Sequence, residues 1–258
     1  IEALPVVLEG KSLMLTIPTA SGKSLVAYIG MINRLIGDMK GMRGAYVVPL
    51  KALASEKFED LREIAGAVGL TVGLAISDRG SESNGVDDSD ILVCTSEKLD
   101  SILRTRPGFL ENLGVIVSDE FHLLNDYSRG PTLEVTISRI MHIRPEAQII
   151  ALSATVGNSE DLAKWLGAKH VKSDWRPIPL HYGIMTDLDV NIHRIEGSNV
   201  NNLQKSRTLP GMKNRRLQAA LEDTVSVGGQ LLVFVSSRAS AAKEARVLSE
   251  FMLNLAKD

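Results

Sequence analysis

Cysteine is almost missing: Cys94 stands alone among 258 residues. One thiol excludes an internal disulfide framework and suits a reducing, cytoplasmic compartment. An excess of one charge is missing too, the formal net charge being −2. That excludes a generally basic coat, so any contact with nucleic acid has to be local. No apolar run approaches the ~20 residues of a membrane-spanning helix, and no secretory signal is present; no membrane partner is expected. His142, His170, His181 and His193 lack metal-ligand spacing and a cysteine partner, so no transition-metal centre is expected. There is no internal repeat at fixed spacing. What is present, 44% hydrophobic and 23% charged residues, is the composition of a chain that buries a full core. Its length fits one large domain or two ordinary ones. The chain starts at Ile1 rather than at a methionine, already close to the first strand, and a piece of something longer is expected.

Apolar runs alternate with helical spacings, which predicts an α/β protein with a largely parallel sheet. Strands are expected at 13–15, 45–48, 71–76, 91–94, 114–117 and 148–152. Helices are expected from residue 25 onwards and over 96–103 and 132–141. Another spans 51–65, with Leu53, Phe58, Leu61 and Ile64 facing inward. Asn158-Ser159-Glu160-Asp161 reads as the capped start of a helix carrying Leu162, Trp165 and Leu166. Residues 78–90 read as an exposed acidic loop. Two prolines in Asp174-Trp175-Arg176-Pro177-Ile178-Pro179 break the rhythm, because neither a helix nor a central strand continues through them. The expected division is a first domain over 1–173, a linker over 174–179 and a second part over 180–258. The second part reads as two extended stretches (180–185 and 190–195), a polar loop, a helix over 213–225, an apolar strand over 231–235 and a closing helix from 239. About 80 residues are few for an independent α/β domain of ~150.

The stretch Ile17-Pro18-Thr19-Ala20-Ser21-Gly22-Lys23-Ser24 lies between the first strand and a long apolar helix. Strand, tight loop, Gly-Lys-Ser, helix is the layout of a phosphate-binding loop, in which backbone N–H groups and the helix N-terminus face a polyphosphate. Lys23 reaches the outer phosphates in that layout and the Ser24 hydroxyl sits on Mg²⁺. Only Gly22 remains of the usual glycines. Asp119 and Glu120 follow an apolar strand directly, at the sheet edge from which the phosphate loop also emerges. Mg²⁺ prefers carboxylate and water oxygens, which assigns it to Asp119. Glu120 is the candidate base for the water that attacks the γ-phosphate. Ser153-Ala154-Thr155 follows another apolar strand, and a contact between its hydroxyls and His122 is expected to report the γ-phosphate.

These segments, taken in order, resemble a known family. They are Pro18-Thr19-Ala20-Ser21-Gly22-Lys23-Ser24, Pro49-Leu50-Lys51-Ala52-Leu53-Ala54, Thr95-Ser96-Glu97-Lys98-Leu99-Asp100, Asp119-Glu120-Phe121-His122, Arg129-Gly130-Pro131-Thr132-Leu133-Glu134 and Ser153-Ala154-Thr155-Val156-Gly157-Asn158. They resemble the ordered motifs of superfamily-two helicases, in particular the Ski-type branch and its archaeal DNA helicases related to HelQ. Asp174-Trp175-Arg176-Pro177 and Val233-Phe234-Val235-Ser236-Ser237-Arg238 match that branch as well. The resemblance implies a RecA-like phosphate-loop domain followed by the start of a second one, with ATP and Mg²⁺ as cofactors. It implies ATP-driven 3′-to-5′ movement of a monomer on single-stranded or forked DNA, with RNA left open. Thr19, Ala20, Ser21, Gly22, Lys23, Ser24, Asp119, His122, Ser153 and Thr155 then belong to the nucleotide site. Pro49, Leu50, Lys51, Thr95, Ser96 and Lys98 are implied to touch the nucleic-acid backbone, as are Ser236, Ser237 and Arg238.

Departures carry their own expectation. The glutamine segment that reads adenine in this family should precede Ile1, and Ala20 stands where many relatives outside the branch have glycine. No motif after residue 238 supplies an arginine finger, a contribution of ~10³–10⁵ in rate in nucleotide hydrolases. These 258 residues are therefore expected to hydrolyse ATP poorly alone. The basic cluster Lys205, Arg207, Lys213, Arg215 and Arg216 reads as a solvated face or a nucleic-acid contact. Cys94 reads as a core residue, and Trp175 as a residue docking the linker. An RNA helicase of the same branch and a nucleotide-gated scaffold without hydrolysis are the competing readings.

Overall fold

A computed structural model describes residues 2–19, 21–76, 88–154, 157–176, 178, 180–196 and 199–255. The chain divides into two compact units, Ile1–Pro177 and Ile178–Asp258.

The first unit is a seven-stranded sheet in the order β3-β4-β2-β5-β6-β1-β7. Its strands are β1 (Leu13–Thr16), β2 (Arg43–Val48), β3 (Val72–Ala75), β4 (Ile91–Thr95), β5 (Leu113–Ser118), β6 (Gln148–Ser153) and β7 (Lys169–Lys172). Every pairing is parallel. Parallel strands are covered on both faces, which is why β1, β4, β5 and β6 are apolar and buried along nearly their whole length. The period of two divides their side chains between two cores. Leu13, Leu15, Tyr46, Val48, Val115 and Val117 meet α1 (Ala3–Leu8), α2 (Lys23–Ile36) and α3 (Lys51–Gly66) on one face. Met14, Ala45, Val47, Cys94 and Ile116 meet α4 (Ser96–Thr105), α5 (Pro107–Glu111), α6 (Gly130–Ile143) and α7 (Ser159–Trp165) on the other. Burial pushes the Cys94 thiol up to about 12, as a core cysteine requires.

Several expectations need correcting. Ile64 is exposed, and α3 packs through Ala54, Leu61 and Ala65. Asn158 precedes α7 without a side-chain cap bond. β7 was not expected at all, because Lys-His-Val-Lys is too polar to read as a strand; it pairs with β1 at the sheet edge, where half-exposed residues are tolerated. Most of the acidic segment 78–90, together with Pro177 and Pro179, lies outside the described residues.

The second unit contains an antiparallel sheet of β8 (His181–Thr186), β9 (Asp189–Glu196) and β10 (Asn199–Thr208). The expected polar loop is thus a third strand. Its polar sequence is compatible with pairing because antiparallel sheets tolerate a solvated face. Leu188, Leu209 and Ala219 form a small core with α8 (Arg216–Ser226). A single 3₁₀ turn, Lys213–Arg215, stands where the helix was expected to start. Residues 231–235 form no strand: the stretch is unpaired, with Leu232 78% and Phe234 87% exposed. Apolarity at every position suits a strand buried on both faces, and among the described residues no ladder receives it. The closing helix α9 (Arg238–Leu255) has no buried residue.

Candidate functional site

β1, β2, β4, β5 and β6 run in parallel, so the loops after them leave from one edge of the sheet. The Gly-Lys-Ser segment follows β1, Pro49 follows β2, Asp119-Glu120 follows β5 and Ala154 follows β6. Crossing bonds fix these loops: the Ile17 N–H donates to the Ser153 carbonyl at 3.3 Å and the Asp119 N–H to the Val47 carbonyl at 2.8 Å.

Gly22 caps α2 with a φ of +81°. This left-handed turn is free of steric cost only for glycine. The helix that follows has no side chain on its first N–H groups, which leaves a partial positive charge at the loop. Lys23 is 7% exposed. Its ammonium is buried without a hydrogen-bond partner among the described residues, as is the Ser21 hydroxyl. Leaving such groups unpaired is unfavourable, and an anion arriving at the loop would supply the missing acceptors.

The opposite wall is built by β5. Asp119 accepts from the Glu120 N–H at Oδ1, 2.9 Å away, and from the Tyr46 hydroxyl at Oδ2, 3.0 Å away. Glu120 holds φ at +50°, left-handed for a residue with a Cβ; such a conformation costs roughly 1–3 kcal/mol. Glu120 Oε2 stands 3.4 Å from His122 Nδ1. Burial first and the Asp119 charge second raise the Tyr46 phenol well above its ordinary range, so it stays protonated and donates. Thr19, Gly22, Lys23, Ser24, Asp119 and Glu120 share a cleft of ≈ 350 Å³ with Leu53, Glu56 and Lys57 of α3. A second cleft, of ≈ 540 Å³, lies along Ile17, Ser21, Val26, Val171 and Trp175; Trp175 itself is 65% exposed.

The donor set fits Mg²⁺: one hydroxyl (Ser24) and one carboxylate (Asp119) are hard oxygen ligands, and Mg²⁺ takes few protein ligands beside phosphate and water. A denser cage is not found, since no group of three His, Cys, Asp or Glu could hold a metal among the described residues.

The remaining expected residues are placed as follows. Thr19 is exposed beside the cleft, while Ala20 and Thr155 lie outside the described residues. Ser153 is fully buried and its hydroxyl donates to the Ala154 carbonyl at 2.9 Å. The expected hydroxyl contact with His122 is thus not made by Ser153, whose proton is held by the nearest backbone carbonyl. Leu50 and Lys51 are exposed at the open start of α3. Pro49 is held from outside, its carbonyl accepting from Arg129 Nη1 at 3.2 Å. Arg129 is delivered by a turn in which Asp126 Oδ1 accepts from Ser128 Oγ and from the N–H groups of Ser128 and Arg129; those bonds lower the Asp126 pKa. Thr95 and Ser96 are buried, and Thr95 Oγ1 caps α4 by accepting the Lys98 N–H at 3.4 Å. Ser236, Ser237 and Arg238 are exposed at the start of α9. In the basic cluster, Arg207 pairs with Asp223 through two bonds of 2.9 and 2.5 Å and Lys213 lies 3.6 Å from Asp187.

Sequence reasoning missed Tyr46, Glu56 and Lys57 as parts of this edge, and it named Arg129 within a motif without giving it a contact. A tyrosine inside Ala45-Tyr46-Val47-Val48 reads as core, and only its hydroxyl, in an otherwise apolar strand ending at the same edge, could have marked it.

Among the described residues no helix is long and apolar enough to cross a membrane. Residues 1–162 match the model of the DEAD/DEAH box helicases. The chain is 40% identical to the ATP-dependent DNA helicase Hel308 of Methanocella arvoryzae, over 94% of this chain and 32% of that protein. It is 41% identical to the protein of the same name in Thermococcus kodakarensis, over 94% of this chain and 20% of that protein. For Caldivirga maquilingensis the identity is 38%, over 95% and 31%. The chain therefore spans about a third or less of these curated relatives. With the Gly-Lys-Ser loop and the Asp-Glu pair on one sheet edge and the family model covering more than half its length, the chain belongs to the DEAD/DEAH box helicase family.

Proposed function

We propose that the chain is the ATP-binding motor portion of an ATP-dependent DNA helicase, which hydrolyses ATP with Mg²⁺ and moves along single-stranded or forked DNA in the cytoplasm as a monomer. The observation that carries the reading is the buried Lys23 ammonium, without a hydrogen-bond partner among the described residues, lining one cleft with Asp119 and Glu120. The names of the relatives supply DNA as the substrate.

In this reading Lys23 and the N–H groups at the start of α2 bind the outer phosphates of ATP. Thr19, Ala20, Ser21 and Gly22 shape the loop around them. Ser24 and Asp119 would hold Mg²⁺, whose chemistry is to neutralise phosphate charge. Glu120 accepts the proton of the attacking water as its oxygen bonds to the γ-phosphorus and the bond to the ADP oxygen breaks. His122, beside the Glu120 carboxylate, together with Ser153 and Thr155, answers the loss of the γ-phosphate.

DNA is proposed to lie where α3 and α4 begin. Both helices open at this edge, and helix N-termini favour phosphates. Leu50, Lys51 and Lys98 are assigned to the DNA backbone; Pro49, beside them, is held by Arg129, and Thr95 caps the start of α4 next to Ser96. The second unit is proposed as the beginning of a second RecA-like domain, with Ser236, Ser237 and Arg238 on the same strand of DNA.

Replacing Glu120 with Gln in the full-length protein tests the assignment. Mg·ATP affinity is expected to stay within about twofold, while DNA-stimulated turnover falls ~10²–10⁴-fold. Unchanged turnover would remove Glu120 as the base, and a wild type that binds ATP without turnover on DNA would favour a nucleotide-gated scaffold.

A further inference from the structure

The Tyr46 side chain is fully buried, yet its hydroxyl reaches a carboxylate on which the cleft depends. It lies in β2, whose neighbour β5 ends in Asp119; the register pairs Tyr46 with Val117 and Val47 with Ser118. Its ring packs on Tyr28 of α2, with centroids 5.5 Å apart. Tyr28 is four residues after Ser24, on the same face of the helix. Tyr46 thus fills the space between the start of α2 and the end of β5.

The direction of the hydrogen bonds follows from what each group can do. An ionised carboxylate only accepts, so the bond of 3.0 Å to Asp119 Oδ2 uses the single Tyr46 proton. Asp119 is held at both oxygens, by Tyr46 at Oδ2 and by the Glu120 N–H at Oδ1, so the orientation of its carboxylate is set by one buried hydroxyl and one backbone donor.

We propose that Tyr46 is a positioning residue of the metal–nucleotide site, fixing the orientation of Asp119. The inference rests on the reading of the cleft as a Mg²⁺–ATP site. Nothing in the packing requires the hydroxyl: phenylalanine fills the same space between α2 and β5. What phenylalanine lacks is the donor to Asp119.

The test is the Tyr46→Phe variant of this chain, titrated with fluorescent N-methylanthraniloyl-ADP in EDTA and across a range of Mg²⁺. Outer partners of metal ligands typically carry 10–100-fold in metal affinity or activity. The Mg²⁺ concentration for half-maximal tightening is expected to rise about tenfold, while affinity in EDTA stays within about twofold. A general packing defect would move both. Wild-type Mg²⁺ dependence in Tyr46→Phe overturns the inference alone. No Mg²⁺ dependence in the wild type overturns the reading of the cleft and this inference with it. If Tyr46→Phe does not fold, ¹³C-tyrosine spectra of the wild type decide. There are 4 tyrosines, and substituting the other three assigns the Tyr46 signal. It is expected to shift with Mg·ADP and not with ADP in EDTA; no difference between the two overturns the proposal.

Discussion

Two stretches of near-identical character meet opposite fates. Gly114-Val115-Ile116-Val117 and Leu231-Leu232-Val233-Phe234-Val235 are both apolar at almost every position. The first is β5, fully buried between β2 and β6. The second is unpaired, with Phe234 87% exposed. The difference lies outside the stretches. A parallel strand is stable only where a ladder stands on each side and helices cover each face, and β5 has both. An apolar run specifies what a segment can bury, while its neighbours decide whether it does.

The strongest way to break this comparison is to truncate one side chain in each unit. Leu152→Ala, in the buried strand β6, is expected to destabilise its unit by about 2–5 kcal/mol in denaturant unfolding. Phe234→Ala is expected to stay within about 0.5 kcal/mol. Equal effects would mean that Phe234 is buried in solution.

Gly130→Ala sharpens the comparison inside the first unit. A Cβ there would overlap the Leu124 carbonyl oxygen, a backbone atom that cannot swing away. A loss of about 1–3 kcal/mol is expected, with lower affinity for single-stranded DNA because Arg129, next to it, holds Pro49. Full stability with normal binding would remove that constraint.

Glu120→Asn tests whether the left-handed backbone at the site is a stored cost. Asn tolerates this region better than Glu. A gain of about 0.5–1 kcal/mol in unfolding free energy is expected together with loss of turnover. Destabilisation would show that Glu120 is held without strain.

The smallest effect belongs to His170 of β7, whose Nε2 is 3.2 Å from Thr16 Oγ1. Partial burial lowers its pKa from 6.5, with Glu160 opposing and Lys172 adding to the shift. The unfolded chain therefore binds the proton more readily. The contribution is present above about pH 6.5 and is lost as the pH falls through the lower folded value. His170→Gln is expected to flatten a shallow acid-side slope in the melting temperature; an identical slope would exclude this residue as its source.

Much of the first unit was legible because its strands are buried on both faces and so are written as apolar runs between turn residues. β7 and β10 were not, since an edge strand and a solvated strand carry polar side chains that periodicity cannot separate from loop. Lys23, Asp119 and Glu120 were expected beside strand ends at one sheet edge, and they line one cleft there. Tyr46 was not, since its role depends on the register of β2 with β5 and on a helix turn far away in sequence. The direction of the Ser153 hydroxyl was not legible either: a hydroxyl at a strand end can turn back to its own backbone, as this one does to the Ala154 carbonyl.

The central claim is that the Gly-Lys-Ser loop and the Asp-Glu pair form one nucleotide site. Calorimetric titration of this chain and of its Lys23→Ala variant with Mg·ADP tests it most directly. Saturable binding by the unchanged chain, weakened at least about tenfold in the variant, is the result the account expects, a tenfold change being about 1.4 kcal/mol. Equal affinities, with both proteins folded, would contradict it.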